Sequence, residues 1–270
     1  VSVLVHDIEI AADAVVFCKD VLKIKPDKWQ REALSSKSHY IIMNCSRQSG
    51  KTLIGAVKAL HTALFIPDSL TLIIAPTQRQ SKLTFHTVKQ LVLKVRPLPD
   101  LPEDNTLSAT FTNGSRIISL PADEARVRGH SAVDLIIEDE AARAPDTLYK
   151  AVRPMLAASG GTLLLASTPF GKRGHFYEEW TGSSRDEWHR ISVTADQVSR
   201  IKKSYLKVEF EKLGKLWYEQ EFFCRFIELQ GQAISSTLVE RALDDSIEPF
   251  LDIEEYYTGR DEEWADILLG

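Results

Sequence analysis

The chain has little cysteine: Cys18, Cys45 and Cys224 are the three in 270 residues. They lie far apart, form no C-x-x-C pair and have no neighbouring histidine, so neither a disulfide framework nor a zinc site is supported and a reducing compartment is expected. Also missing is any uninterrupted apolar run of the roughly 20 residues needed to cross a bilayer. The first residues, VSVLVHDIEIAAD, carry acids where a secretory leader has its basic end. Neither a membrane partner nor export is expected. An excess of positive charge is absent too: 33 Lys+Arg against 38 Asp+Glu leave a net charge of −5. Any nucleic-acid contact must therefore come from a local basic patch. No internal repeat or low-complexity segment stands out. What is present is the composition of a soluble globular chain, 44% hydrophobic and 26% charged, long enough for one large domain or one domain with a small appendage.

Apolar runs and helical periodicity alternate along the chain. Residues 8–22 show helical spacing, His39–Asn44 (HYIIMN) reads as a short strand, and Leu53–Phe65 resumes helical spacing. Thr71–Ala75 (TLIIA) is a buried strand, followed by a Pro76-Thr77-Gln78 exit turn and a helix over Ser81–Lys94. Val95–Glu103, with three prolines, is a loop. Thr110–Leu120 predicts a hairpin, because Asn113-Gly114 suits a tight primed turn. A polar segment, Pro121–Ser131, precedes a strand at Val133–Ile137, a helix around Asp146–Leu156 and a strand at Thr162–Ala166 (TLLLA). Four short, very apolar strands separated by helices predict an α/β fold: a mostly parallel sheet covered on both faces. Beyond about residue 195 the pattern changes to charged helices and then an acidic tail.

Between the first strand and its helix lies CSRQSGKT, residues 45–52. It ends as the phosphate-loop pattern G-x-x-x-x-G-K-[ST] does, with Cys45 where that pattern has its first glycine. A strand, a polar loop and Gly50-Lys51-Thr52 at the head of a helix are the context phosphate binding requires, since free N–H groups and the helix N-terminus attract phosphate oxygens. Gly50 would let the backbone approach, Lys51 would reach the terminal phosphates, and the Thr52 hydroxyl would ligate Mg²⁺. Cys45 suits the strand end as a small, weakly polar side chain. A second site, DLIIEDEAAR at 134–143, is an apolar strand closing in acids. A nucleotide hydrolase needs one carboxylate for Mg²⁺ and one to activate water. Asp139 and Glu140 are the preferred pair, with Asp139 on the metal and Glu140 on the water. Glu138 sits where an apolar strand residue is usual, and spacing alone leaves the Glu138–Asp139 pairing open.

With SRQSGKT at 46–52, IIAPTQRQS at 73–81, RGHSAVDLIIEDEAA at 128–142 and LLLASTPFGKRGHFYEEW at 163–180, about half the chain resembles the ATPase motor domain of tailed-bacteriophage terminase large subunits. The resemblance implies a P-loop NTPase core of the RecA/ASCE-like kind over residues 1–195. A helical lid or linker subdomain over 196–270 would end in the start of a truncated C-terminal region. It implies ATP and Mg²⁺ as cofactors, and hydrolysis that drives double-stranded DNA into a procapsid in the host cell cytoplasm. The implied partners are a portal protein, a small terminase subunit and further copies in a ring on the portal, with a monomer in isolation. A helicase-like translocase and a non-motor ATP-binding protein are the competing classes.

The resemblance also implies roles for single residues. Gln30, in PDKWQREAL, would contact adenine. The nucleotide-binding set becomes Gln30, Arg47, Gln48, Ser49, Gly50, Lys51 and Thr52. Arg47 would sit over the terminal phosphate and stabilise charge on the transferred group. Arg128 would act in a neighbouring subunit, with Arg126 and Arg143 as competitors. Ser167 and Thr168, in the Ser-Thr-Pro after a strand, would relay γ-phosphate loss to a moving part. Lys172–His175 and Arg200–Lys203 are the best local basic groups for DNA phosphates. Tyr257–Asp261, with Asp261 and Asp266 as acids, resembles the start of a nuclease domain. The chain has no room for the remaining ligands, so no nuclease activity is expected from it.

Overall fold

The computed structural model describes residues 2–228; Asp261 and Asp266 lie outside the described residues. The expected N-terminal helix is broken into α1 (Ser2–Ala12), α2 (Ala14–Val16) and a π-helical turn, Phe17–Val21. Asp13 causes the break: its carboxylate accepts from the Val15 N–H at 2.7 Å and restarts the helix as an N-cap. Next come α3 (Lys28–Ser35), β1 (Tyr40–Cys45), α4 (Lys51–Phe65), β2 (Leu70–Ala75) and α5 (Gln78–Val92). The short β3 (Glu103–Asp104) and β4 (Ser108–Thr110) lead into β5 (Arg116–Pro121), α6 (Glu124–Val127) and β6 (Leu135–Asp139). The described residues end with α7 (Asp146–Val152), β7 (Thr162–Ser167), α8 (Gly174–Thr181), β8 (His189–Val193), α9 (Lys203–Leu213) and α10 (Lys215–Phe223).

The eight strands form one sheet in the order β3-β4-β5-β2-β6-β7-β1-β8. The six from β5 to β8 are parallel, and β3 and β4 extend the edge antiparallel. The period of two along each strand divides the core. Ile41, Met43, Ile73, Ile137 and Leu164 face α4 and α5, against Ile54, Val57, Leu60, Phe85 and Val88. Ile42, Leu72, Ile74, Ile136, Leu163 and Leu165 face the other layer, against Leu148, Val152 and Phe176 of α7 and α8. Both faces are covered, as the apolar strands predict.

Two local expectations change. The hairpin between β4 and β5 does not close through a two-residue primed turn: Gly114 alone takes a positive φ (83°), and Gly114 N–H donates to the Phe111 carbonyl at 3.0 Å. Asn113 is held elsewhere, its Nδ2 donating to the Ala63 carbonyl at 2.9 Å, so the loop is the longer kind with a left-handed glycine. A Cβ at Gly114 would lie 2.0 Å from Asp68 Oδ1, so the position also demands glycine sterically. Strand β8, HRISV, is an additional parallel edge strand; half-exposed and alternating, it lacks the continuous apolar run that marks its neighbours.

Strand order decides where chemistry can occur. β7 lies between β1 and β6, with Asn44 opposite Ser167 and Asp139 opposite Ala166. The C-terminal ends of these three strands therefore open onto one crevice, the usual ligand position in an open parallel sheet.

Candidate nucleotide site

Cys45 ends β1 and is fully buried, and burial pushes its thiol up to about 12. It packs as a small apolar group rather than as a nucleophile. From there the loop is pinned at both sides. Ser46 N–H donates to the Val193 carbonyl of β8 at 2.8 Å, and Arg47 N–H donates to the Glu221 carbonyl of α10 at 2.9 Å. Gln48 and Gly50 take left-handed conformations (φ 58° and 97°), which turns the chain sharply into the first turn of α4. A Cβ on Gly50 would come within 3.0 Å of Gln30 Nε2 and 3.6 Å of Arg200 Nη2, so that position is both conformationally and sterically a glycine site. The Ser46 hydroxyl is buried and makes no hydrogen bond. Arg47 and Gln48 are exposed at the tip, whereas Ser49 and Lys51 are buried.

The acidic strand meets this loop. Asp139, on the α4 side of the sheet, accepts from the Thr52 hydroxyl at 2.9 Å and from the Thr84 hydroxyl of α5 at 3.1 Å, both on Oδ2. Its other oxygen accepts from the Glu140 N–H at 3.1 Å. Burial raises its pKa; Lys51 and the two hydroxyls oppose that shift. Glu140 follows with a left-handed backbone (φ 57°), an uncommon conformation for a non-glycine residue that turns the chain off the strand. Its carboxylate lies 3.0 Å from Lys51 Nζ. Burial works against the charge on Lys51, but Glu140 and Asp139 outweigh it and hold the ammonium above the ordinary lysine value.

Glu138 points the other way. Successive strand residues alternate, so it enters the α7–α8 layer, where it is fully buried and lies 3.0 Å from His175 Nε2 of α8. His175 Nδ1 lies 3.1 Å from Asp146 Oδ1, and its ring stacks on Tyr149 at 4.8 Å. Burial disfavours the imidazolium, yet the two carboxylates prevail and raise the His175 pKa. Glu138 is thus out of reach of the loop. His175, placed by sequence in a basic surface group, is a buried partner of that acid.

The remaining predicted residues divide. Gln30 is buried at the N-terminus of α3, and its Oε1 accepts from the Asp27 N–H at 2.9 Å while Nε2 faces Gly50. Ser167 and Thr168 are buried at the end of β7, and Ser167 donates to the Thr168 carbonyl at 2.8 Å. Thr168 lines a cavity of about 100 Å³ with Arg47, Gln80, Glu140, Arg143 and Glu221. Arg128 is not among them. It is exposed, its side chain 68% accessible, and pairs with Glu124 one helical turn earlier. Arg200 is engaged at the loop, with Nη1 2.7 Å from Asp27 and Nη2 donating to the Ser49 carbonyl at 2.8 Å.

Sequence reasoning missed Thr84, Gln80 and Glu221, and treated Arg143 only as a competitor of Arg128. Gln80 lies in the singled-out stretch IIAPTQRQS, which was the available signal. Nothing in the sequence marks Thr84 or Glu221, because both reach the site from separate helices through tertiary packing.

With this geometry in place, the chain can be compared with known proteins. Residues 42–241 match the family model described as "Terminase large subunit, T4likevirus-type, N-terminal". The large terminase subunit of Thermus virus P23-45 is 28% identical over 190 residues, covering 62% of this chain and 39% of that protein. The chain thus spans about two fifths of the length of the curated relatives it matches. The large terminase ATPase domain of Thermus phage P74-26 is 24% identical, with a TM-score of 0.67 over 77% of this chain and 97% of that one. A large terminase from a thermophilic bacteriophage, solved in complex with ATP-gamma-S, is 15% identical, with a TM-score of 0.61 over 74% and 53% of the two chains.

Proposed function

The chain belongs to the family of T4likevirus-type terminase large subunits, in their N-terminal part, and from that premise we propose that it is an ATP-hydrolysing motor domain that drives double-stranded DNA into a procapsid. One observation carries the ATPase reading. Two motifs 87 residues apart converge, so that Thr52 hydrogen-bonds Asp139 while Lys51 pairs with Glu140.

The loop fits a nucleotide's phosphates: a side-chain-free turn at Gly50, an unpartnered buried Ser46 hydroxyl and a buried ammonium at Lys51. Among the described residues there is no cluster of three or more metal-ligating side chains. That suits Mg²⁺, which takes one or two carboxylates and completes its shell with phosphate oxygens and water. Thr52 and Asp139 would hold it. Bound there, the ion would neutralise charge on the β- and γ-oxygens. Lys51 exchanges its pairing with Glu140 for the terminal phosphates, which frees the Glu140 carboxylate to accept a proton from the attacking water. Arg47 lies over the terminal phosphate. Gln30 offers Nε2 to the base, its Oε1 being committed to the helix cap, and Gln48 and Ser49 complete the loop. Thr168, in the wall of the small cavity, and Ser167 beside it sense the γ-phosphate.

In this reading residues 1–195 form the ATPase core and the described helices after residue 195 belong to a lid or linker, with a portal protein and a small terminase subunit as partners. No described helix is long and apolar enough to cross a membrane; the host cytoplasm is the compartment this reading assigns. Arg128, exposed and away from its own cavity, serves a neighbour's site in a ring. The test is Mg²⁺-dependent phosphate release from ATP by the full chain as protein concentration rises. A rate per subunit that climbs with concentration is expected, and Arg128→Ala should remove the climb. A constant rate per subunit contradicts the shared site.

A further inference from the structure

A larger cavity, of about 330 Å³, lies at the opposite end of the sheet from the nucleotide site, where Asp134 leads into β6 and Thr162 begins β7. Its walls come from α1 and α2, the end of α3 and the second half of α4. Three basic side chains meet there. Lys58 Nζ donates to the Ala33 carbonyl at 3.2 Å and to the Leu34 carbonyl at 3.4 Å, both in the last turn of α3. An ammonium has three donors, so one is left over. Lys37 and His61 line the same cavity, and His61 Nε2 donates to the Ile10 carbonyl at 3.1 Å. Among the described residues none of these three groups is within ion-pair distance of a carboxylate. Two acids share the surroundings, and each serves a backbone donor: Asp134 Oδ2 accepts from Leu70 N–H at 2.8 Å, and Asp13 Oδ1 from Val15 N–H at 2.7 Å.

The charges there are poorly balanced. Burial, with Lys37 adding to it, pushes the Lys58 ammonium down to about 8. Burial also lowers His61, and the two lysines add to that against the Ile10 carbonyl and Asp13. The free carbonyls at the end of α3 amount to about half a negative charge, too little to offset two ammoniums. We propose that this cavity binds a small tetrahedral dianion of the phosphate or sulfate type, held by the third N–H of Lys58 and by Lys37, with the hydroxyls of Thr62 and Thr162 as further donors. Such an ion replaces repulsion between like charges by charge-assisted hydrogen bonds, and it ties the segment after α3 to α4 and the starts of two strands. The volume leaves room for part of its hydration. The site does not depend on the nucleotide reading: Lys58 follows Lys51 by about 10 Å of the α4 axis and serves the other end of the sheet.

Titration of the full chain with sulfate, followed through the ring resonances of His61, tests this. Sulfate keeps its charge across neutral pH, but it also stabilises folded chains generally by exclusion, so the readout has to be local. A saturable shift of His61 is expected in the unmodified chain. Lys58→Met keeps the stem and removes the charge, and it should weaken the binding by about tenfold or more. Lys37→Met, at an exposed position, should weaken it by a smaller factor and serves if Lys58→Met fails to fold. Lys51→Ala should leave the shift in place, because the phosphate loop lies at the other end of the sheet. Binding should also weaken as pH rises through about 8, where Lys58 of the free chain loses its proton. A shift that never saturates, one that disappears in Lys51→Ala, or one that neither lysine variant of the cavity weakens overturns the proposal.

Discussion

Asp139 and Glu138 are adjacent acids on one strand, both buried, yet they have opposite surroundings. Asp139 opens toward the phosphate loop and accepts from two hydroxyls, Thr52 and Thr84. Glu138 turns to the other face and meets an imidazole that a second carboxylate also holds. Hydroxyls leave a carboxylate with its negative charge and with lone pairs for a cation. An imidazolium neutralises the charge in place. A buried acid in a strand is thus defined not by its sequence position but by what the facing layer offers it, and β6 turns one acid toward the phosphate loop and the other into the α7–α8 layer.

The largest effect that would break this picture lies on the chemical side. Lys51→Ala removes the only buried ammonium in the loop, and ATP affinity should fall by on the order of 100-fold or more, measured by titration calorimetry. The fold should survive, because Glu140 is partly exposed and keeps Arg143 as a partner. On the structural side, His175→Leu leaves Glu138 as a buried acid without its cation. It should cost about 3–5 kcal/mol of stability, read as a lowered unfolding midpoint. The double variant Glu138→Leu with His175→Leu should recover most of that loss, since a buried pair replaced by apolar groups is often close to neutral. A double variant as unstable as the single one contradicts the pairing. The smallest effect is expected at Thr84→Val, about 1–2 kcal/mol, because Asp139 keeps the Thr52 hydroxyl and the Glu140 N–H.

Much of this was legible in the residues. The continuous apolar runs gave the central strands, and the loop CSRQSGKT had its strand and helix where a phosphate loop requires them. Local pattern could not see partners brought from far along the chain. Glu138 looked out of place because its reason, His175, is 37 residues away on α8. His175 itself sat in a basic tetrad, Lys-Arg-Gly-His, and looked like surface until the helix buried it at 3% accessibility. β8 was missed because an edge strand needs only one apolar face, and its neighbours rather than its composition make it a strand. The choice between the two acid pairs was open on spacing. Period-two alternation on a sheet whose α4 side is already known separates them.

The most direct measurement is single-turnover ATP hydrolysis by Glu140→Gln and Glu138→Gln side by side, with ATP binding and unfolding recorded for each. Glu140→Gln should bind ATP and slow hydrolysis by roughly 10²–10⁴-fold with little change in stability. Glu138→Gln should lose stability while the folded fraction hydrolyses ATP at close to the normal rate. Normal hydrolysis by Glu140→Gln together with a hydrolytic block in folded Glu138→Gln would contradict the account.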